Sequence, residues 1–442
     1  MERAADHPLR VLLNDEAHAR PPESLVAPVR ISYLALYSEA SLRAAQRAHL
    51  AALLAAFGVA APGPERNHFS ADLGPFRLKW ELHSEFVRYK FIVAGVGDAD
   101  DPFADPPILR VPAAWRAAMV GQVLVASHVA LVAMGEDEPD FEAVAERWFA
   151  GNPLVGAMIA GRAAVAVMDF RIRADGFNRV LIFDRGLRPR QAGRAVQRLV
   201  EIDSYRLLAQ LTLPIARRLT VVLSEHEQEL AEITAALVHV ETADEPRLLE
   251  RLTALAAQIE SLESQTQYRF SAARAYYALV RRRIGELREE RLPAIQTFHE
   301  FTELRLAPAM QTCEAAAARQ DALSTRVARA TALLSTRVAM TRERQEMAVL
   351  ESMNRRADLQ LRLQTTVEGL SVAAISYYIA ALVGDLAQGA VSAGVRVNPA
   401  LVEGASVPVI VALVALAIRR IHRRVHRQIA GGRTSETGGS HG

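Results

Sequence analysis

An α+β fold is predicted, with an N-terminal α/β domain, then long antiparallel or coiled helices, and finally a two-helix transmembrane hairpin. Three observations predict it: residues 76–83 alternate strictly between apolar and polar, residues 309–368 hold neither glycine nor proline, and two uncharged apolar runs lie near the C-terminus. At 442 residues the chain suggests more than one structural unit. Composition shifts divide it into a cytoplasmic α/β domain over 1–187, a helical stalk over 188–366, the hairpin over 367–420 and a basic, then disordered tail over 421–442. Half of the residues are apolar and 23% are charged, a balance that excludes general disorder.

The first strand is expected over Val29–Tyr37, where strand formers dominate. An Ala- and Leu-rich helix over Glu39–Phe57 follows. In the alternating run, Phe76, Leu78, Trp80 and Leu82 share one face and Arg77, Lys79, Glu81 and His83 the other, the pattern of a strand with one buried side. Val87–Val96 is expected to pair with it. Gly121–Met134 supplies another strand, and Ala163–Ile172 with Arg179–Phe183 reads as a hairpin turning at Ala174-Asp175-Gly176. Gly151-Asn152-Pro153-Leu154 reads as a turn.

After Pro189 the apolar residues take helical spacing. Leu248, Leu252, Leu255, Ile259 and Leu262 form a heptad stripe, with Pro246 and Pro293 as helix boundaries. A continuous helix over 309–368 would be about 90 Å long, so its stripe of Leu323, Val327, Ala330, Leu334 and Val338 needs partner helices, from this chain or from another copy in a homo-oligomer.

Gly369–Gly384 and Ala405–Ile418 are the two expected spans, each completed by flanking residues to reach bilayer thickness. Arg355, Arg356 and Arg362 precede the first, Arg419, Arg420, Arg423, Arg424 and Arg427 follow the second, and Arg396 alone lies between. The positive-inside rule then places both termini in the cytoplasm. The basic tail is suited to anionic lipid headgroups, so membrane lipids are the expected partner.

The formal net charge is +2, and of 52 basic residues only Lys79 and Lys90 are lysines. The arginines alternate with acids and make no basic stripe with interleaved aromatics, so nucleic acid is not an expected partner. Cys313 is the one cysteine, which rules out an internal disulfide and a multi-cysteine metal site. No export signal is read at the N-terminus.

Asp15, Glu16 and His18, in the polar stretch Asn14–Arg20, offer oxygen and imidazole donors to a metal, against the alternative of a turn and helix cap before Pro21-Pro22. Asp169, Arg171, Asp175 and Arg179 read as cross-strand charges around the hairpin, and Glu201, Asp203, Tyr205 and Arg206 as a solvated helix face or an interface. Ser371, Ser376, Tyr377 and Tyr378 are the polar positions of the first span, equally suited to helix packing or to a pore, and Asp385 follows it. Gly95-Val96-Gly97 lacks the third glycine of a dinucleotide loop, His226-Glu227 lacks the second histidine of a zincin, and no serine sits in a nucleophile elbow. No cofactor and no catalytic activity are expected.

The segments His7–Arg10, Leu13–Pro21, Gly151–Gly156, Asp184–Leu187, Glu351–Arg356 and Val367–Ser371 together resemble a bacterial family of predicted membrane-anchored proteins, a domain-of-unknown-function family sometimes mislabelled as egg lysin. The resemblance covers nearly the whole chain and implies an anchored protein. The layout is also distantly similar to CorA-type magnesium channels, which carry a Gly-Met-Asn filter after the first span; here that place reads Gly384-Asp385-Leu386-Ala387-Gln388-Gly389. An oligomeric scaffold or sensor with a cytoplasmic body is the expectation, with a divalent-cation channel as the alternative.

Overall fold

The computed structural model describes residues 6–18, 21–98, 100–135, 138–239, 244–394 and 398–431. The chain divides into two compact units, Met1–Leu334 and Ser335–Gly442.

The first unit opens with α1 (Arg10–His18), a helix in place of the expected turn and cap, since nothing from Arg10 to His18 breaks helical geometry before Pro21. There follow β1 (Val29–Tyr37), α2 (Arg43–Ala56), β2 (His68–Asp72), β3 (Arg77–Leu82), β4 (Phe86–Ala94), α3 (Ala113–Ala117), β5 (Gln122–Ala133) and α4 (Phe141–Phe149). Then come β6 (Val155–Ile159), β7 (Ala164–Met168) and β8 (Asn178–Asp184). All eight strands form one sheet in the order β2-β3-β4-β1-β5-β8-β7-β6. Only β5 and β8 run parallel; the other pairs are antiparallel. Each half is a strand, a helix and then a three-strand meander whose last strand returns beside the first.

The expected hairpin is present as β7 and β8, paired from Ala164↔Asp184 to Met168↔Val180. The turn is longer than its Asp-Gly signal suggests, because Asp169 folds the chain back on itself by accepting from Arg171 N at 3.2 Å and Arg173 Nη2 at 2.8 Å. Asp140 caps α4 by accepting from Glu142 N and Ala143 N at 3.0 and 3.3 Å.

One face of the first half of the sheet is an apolar core. Leu34 and Leu36 of β1, Leu78 and Trp80 of β3, and Tyr89 and Phe91 of β4 pack there against Leu50, Leu53 and Leu54 of α2 and Trp115 of α3. The opposite face is covered by α5 (Pro189–Gln210), which lies on β5 and against α7 (Glu245–Leu287). α6 (Leu213–His239), which follows α5 in the chain, also packs on α7. The heptad stripe of α7 is buried at Leu248, Leu252, Leu255 and Ile259, so the partners it needs lie within the chain.

α8 (Phe298–Arg305) begins with a capping box between Thr297 and Glu300. α9 (Ala307–Ser392) contains the whole segment expected to be helical, and Leu323, Val327 and Leu334 of its stripe are buried in the first unit. The second unit holds the rest of α9 and α10 (Pro399–Gly431). There the Gly384 position faces the Glu403 side chain so closely that an added Cβ would lie 2.9 Å from Oε2.

Candidate functional site

At Lys79 and Glu81 the polar side of β3 does not face solvent, contrary to the one-sided strand that its alternation predicts. Lys79 and Glu81 are as buried as Leu78 and Trp80, because α5 and residues 21–25 cover that face. β4 adds Arg88 and Lys90 to it, with Lys79 directly opposite Lys90 and Glu81 opposite Arg88 in the register. The only two lysines of the chain thus form a like-charge cross-strand pair, an arrangement that destabilises a sheet unless neighbouring charges offset it.

Carboxylates supply much of that offset. Arg88 donates to Glu81 through Nε and to Glu201 Oε1 through Nη1 at 2.9 Å. Glu201, buried on α5, also accepts from Gln197 Nε2 at 2.8 Å and from Arg283 Nε of α7 at 2.5 Å. Arg283 and Arg198 meet again at Glu286, at 2.9 and 3.2 Å. Tyr33 of β1 donates to Ser204 Oγ at 2.7 Å, and Ser204 donates to the Val200 carbonyl. A chain of charge-assisted bonds therefore links sheet, α5 and α7.

This environment moves the ionisation of its members. Burial opposes the Glu81 anion, but Arg88, Lys90 and Lys79 outweigh it and hold the carboxyl down at about 2. For Glu201, burial is likewise overcome by Arg88 and Arg283, and the shift is downward. Burial and the neighbouring Arg88 push the Lys90 ammonium down to about 8. Burial pushes the Tyr33 phenol up. Opposed shifts of this kind mark functional sites as well as structural networks.

Residues 21–25 close one side. The Pro21 carbonyl accepts from Lys79 Nζ at 2.7 Å, and Glu23 accepts from Arg77 Nε at 2.7 Å and Ser70 Oγ at 2.9 Å. Leu25 N donates to the Pro189 carbonyl at 3.0 Å. Gly193 lets α5 come this close, since a Cβ there would lie 1.7 Å from the Glu23 carbonyl oxygen. Between this segment, α5 and α7 opens a cleft of about 190 Å³ whose wall includes Pro22, Arg194, Arg198, Glu201 and Arg283. It lies beside the buried charges and is the candidate site.

Two other loci are distinct from it. Glu85 accepts from Arg269 at 2.6 and 3.2 Å and from the Tyr276 hydroxyl at 2.7 Å, tying the β3–β4 turn to α7. A cavity of about 130 Å³ between α7 and the start of α9 is lined by Phe270, Tyr277, Met310 and Cys313, whose thiol burial pushes up to about 11, away from the reactive thiolate.

Of the residues singled out in the sequence, Asp15 is exposed on α1, while the side chains of Glu16 and His18 lie outside the described residues. Among the described residues no three His, Cys, Asp or Glu side chains gather as a metal site. Ser371, Tyr377 and Asp385 are exposed on α9, and Ser376 is buried. Glu201 and Asp203 are not on a solvated face: both are buried, and Asp203 accepts from Asn178 Nδ2 at 2.6 Å and Arg206 Nη2 at 2.6 Å. Asp169 accepts from Arg173 of its own loop and from Asn152 ahead of β6 rather than from a charge on β8, and Arg179 donates to the Trp148 carbonyl at 2.8 Å.

No curated protein and no solved structure matches the chain. A family model, DUF3422, described as a protein of unknown function, matches residues 5–425. The chain that builds this buried charge network therefore belongs to the DUF3422 family.

Proposed function

We propose that the protein is a non-catalytic sensor or scaffold, anchored in the bacterial cytoplasmic membrane through the end of α9 and α10, with both termini and its α+β body on the cytoplasmic side. Among the described residues, three helical stretches are long and apolar enough to cross a membrane: Pro189–Val238, Phe298–Ser392 and Pro399–Arg420. The first is α5 and α6, and α5 is committed to the body, where Glu201 and Asp203 are engaged in ion pairs. The other two carry the reading, because they present large apolar side chains outward: Leu382 is 63% exposed, Leu413 61% and Leu416 62%. In water such a surface would be an aggregation liability; in a bilayer it is solvated by lipid.

Self-association fits the same reading, since Met340, Met347 and Leu350 are also exposed along α9. Ile410 is a poor probe of insertion because it is buried, whereas Leu413 is not. Carbonate washing of membranes tests the anchor: the wild-type chain stays in the pellet, and Leu413→Arg, which sets a charge near the middle of the second span at a cost of about 2.5–3.5 kcal/mol, shifts a large fraction to the supernatant. Retention of the variant equal to wild type would refute the second span.

The divalent-cation channel is the second reading, favoured by one observation: Glu403 is seated against Gly384, next to Asp385, in an otherwise apolar helical pair. Mg²⁺ flux into proteoliposomes that is abolished by Asp385→Ala would select the channel; absence of flux from well-folded protein would select the anchored sensor.

A further inference from the structure

The carboxylates around the cleft are already committed: Glu81 to Arg88, Glu201 to Arg88 and Arg283, and Glu286 to Arg198, Arg282 and Arg283. Two cations are left over. Among the described residues, the ammonium of Lys90 and the guanidinium of Arg194 have no hydrogen bond and no carboxylate within ion-pair distance. Arg194 is an exposed residue of the cleft wall. Lys90 is 4% exposed and lies within electrostatic reach of Glu201, which lines the same cleft.

A buried ammonium facing a second lysine is costly to fold around, and the usual compensation is an opposite charge. Among the described residues no carboxylate lies within ion-pair distance of Lys90, and the cleft that Glu201 and Glu286 help to line is also walled by three arginines, the side chain best matched to a phosphoryl or carboxylate oxygen pair. We propose that the cleft between residues 21–25, α5 and α7 binds a compact, multiply charged phosphoryl group, with Arg194, Arg198 and Arg283 as its ligands and the Lys79–Lys90 pair as the positive field behind them. The cleft volume of about 190 Å³ fits a phosphoryl group with a small substituent. Residues 21–25 form one wall through Pro22, so occupancy is positioned to act on the N-terminal segment. The site lies wholly in the first unit and stands or falls separately from the membrane anchor.

Titration calorimetry of the full chain in detergent, with inorganic phosphate against chloride at matched ionic strength, tests it. The expected result is saturable phosphate binding that weakens at least about tenfold in Arg194→Ala, the equivalent of one charge-assisted bond, and also weakens in Lys90→Met. Arg194 makes no hydrogen bond or ion pair among the described residues, so its removal leaves the fold intact, and an unchanged far-ultraviolet spectrum and melting profile verify that. Phosphate binding no stronger than chloride, or undiminished in Arg194→Ala, overturns the proposal. Competition by a soluble short-chain phosphatidic acid distinguishes the source: displacement of phosphate at tenfold lower concentration identifies a lipid headgroup, and its failure a free phosphorylated solute.

Discussion

Arg88→Met is expected to destabilise the first unit by about 3–5 kcal/mol at neutral pH, measured by urea unfolding. Among the described residues Arg88 is the only cation that bonds both Glu81 and Glu201, and all three side chains are at most 4% exposed. Its removal leaves two carboxylates in the interior with Lys79, Lys90 and Arg283 as partial compensation. The cost comes from the uncompensated charges rather than from the lost guanidinium, so it has a signature in pH. In the wild type, the folded carboxyl of Glu81 sits at about 2, below its ordinary value of 4.5, and its stabilising contribution is present above pH 4.5 and lost as pH falls towards 2. In the variant the stranded carboxylates take up protons on folding, so the deficit against wild type shrinks as pH falls through that same window. A deficit independent of pH would mean that packing, not charge, is what Arg88 supplies.

Lys90→Met is expected to act in the opposite direction and to stabilise the unit by on the order of 2–3 kcal/mol at pH 7 in the absence of ligand. Burial and Arg88 lower the folded ammonium to about 8 from an ordinary 10.5. A lysine depressed in this way penalises folding fully below pH 8, and the penalty is relieved as pH rises from 8 to 10.5, where the unfolded chain still binds the proton and the folded one does not. The advantage of methionine over lysine therefore disappears towards pH 10.5. A residue that weakens the fold while strengthening an anion site is what a stability–function trade-off produces. If Lys90→Met is less stable than wild type at pH 7, the ammonium is a structural partner and not a reserve charge.

Much of the scaffold was legible in the sequence because its signals are local. The strand read at Val29–Tyr37 coincides with β1, the alternating run with β3, and the segment free of glycine and proline lies inside α9. The candidate site was not legible, because its signal is tertiary. Lys79 and Glu81 alternate with apolar residues as the solvent face of a strand would, and nothing within the strand reveals that a helix beginning at Pro189 covers it. Glu201 in turn reads as one charge on a helix until Arg88 and Arg283 are seen to converge on it. One available clue was the placement of the only two lysines among fifty-two basic residues on adjacent strands. The two C-terminal apolar helices were legible for the opposite reason: a helix long and apolar enough to cross a membrane is marked by its composition alone, without a tertiary partner.

The anchor is the central claim, and the depth of α10 in a bilayer tests it most directly. A fluorophore attached to Leu413→Cys, in a Cys313→Ser background that removes the one native thiol, reports the surroundings of the second span in liposomes. Strong quenching by lipids brominated near the ends of their acyl chains is the predicted result. Quenching by an aqueous agent such as iodide, with no effect of the brominated lipids, would place α10 in water and contradict the account.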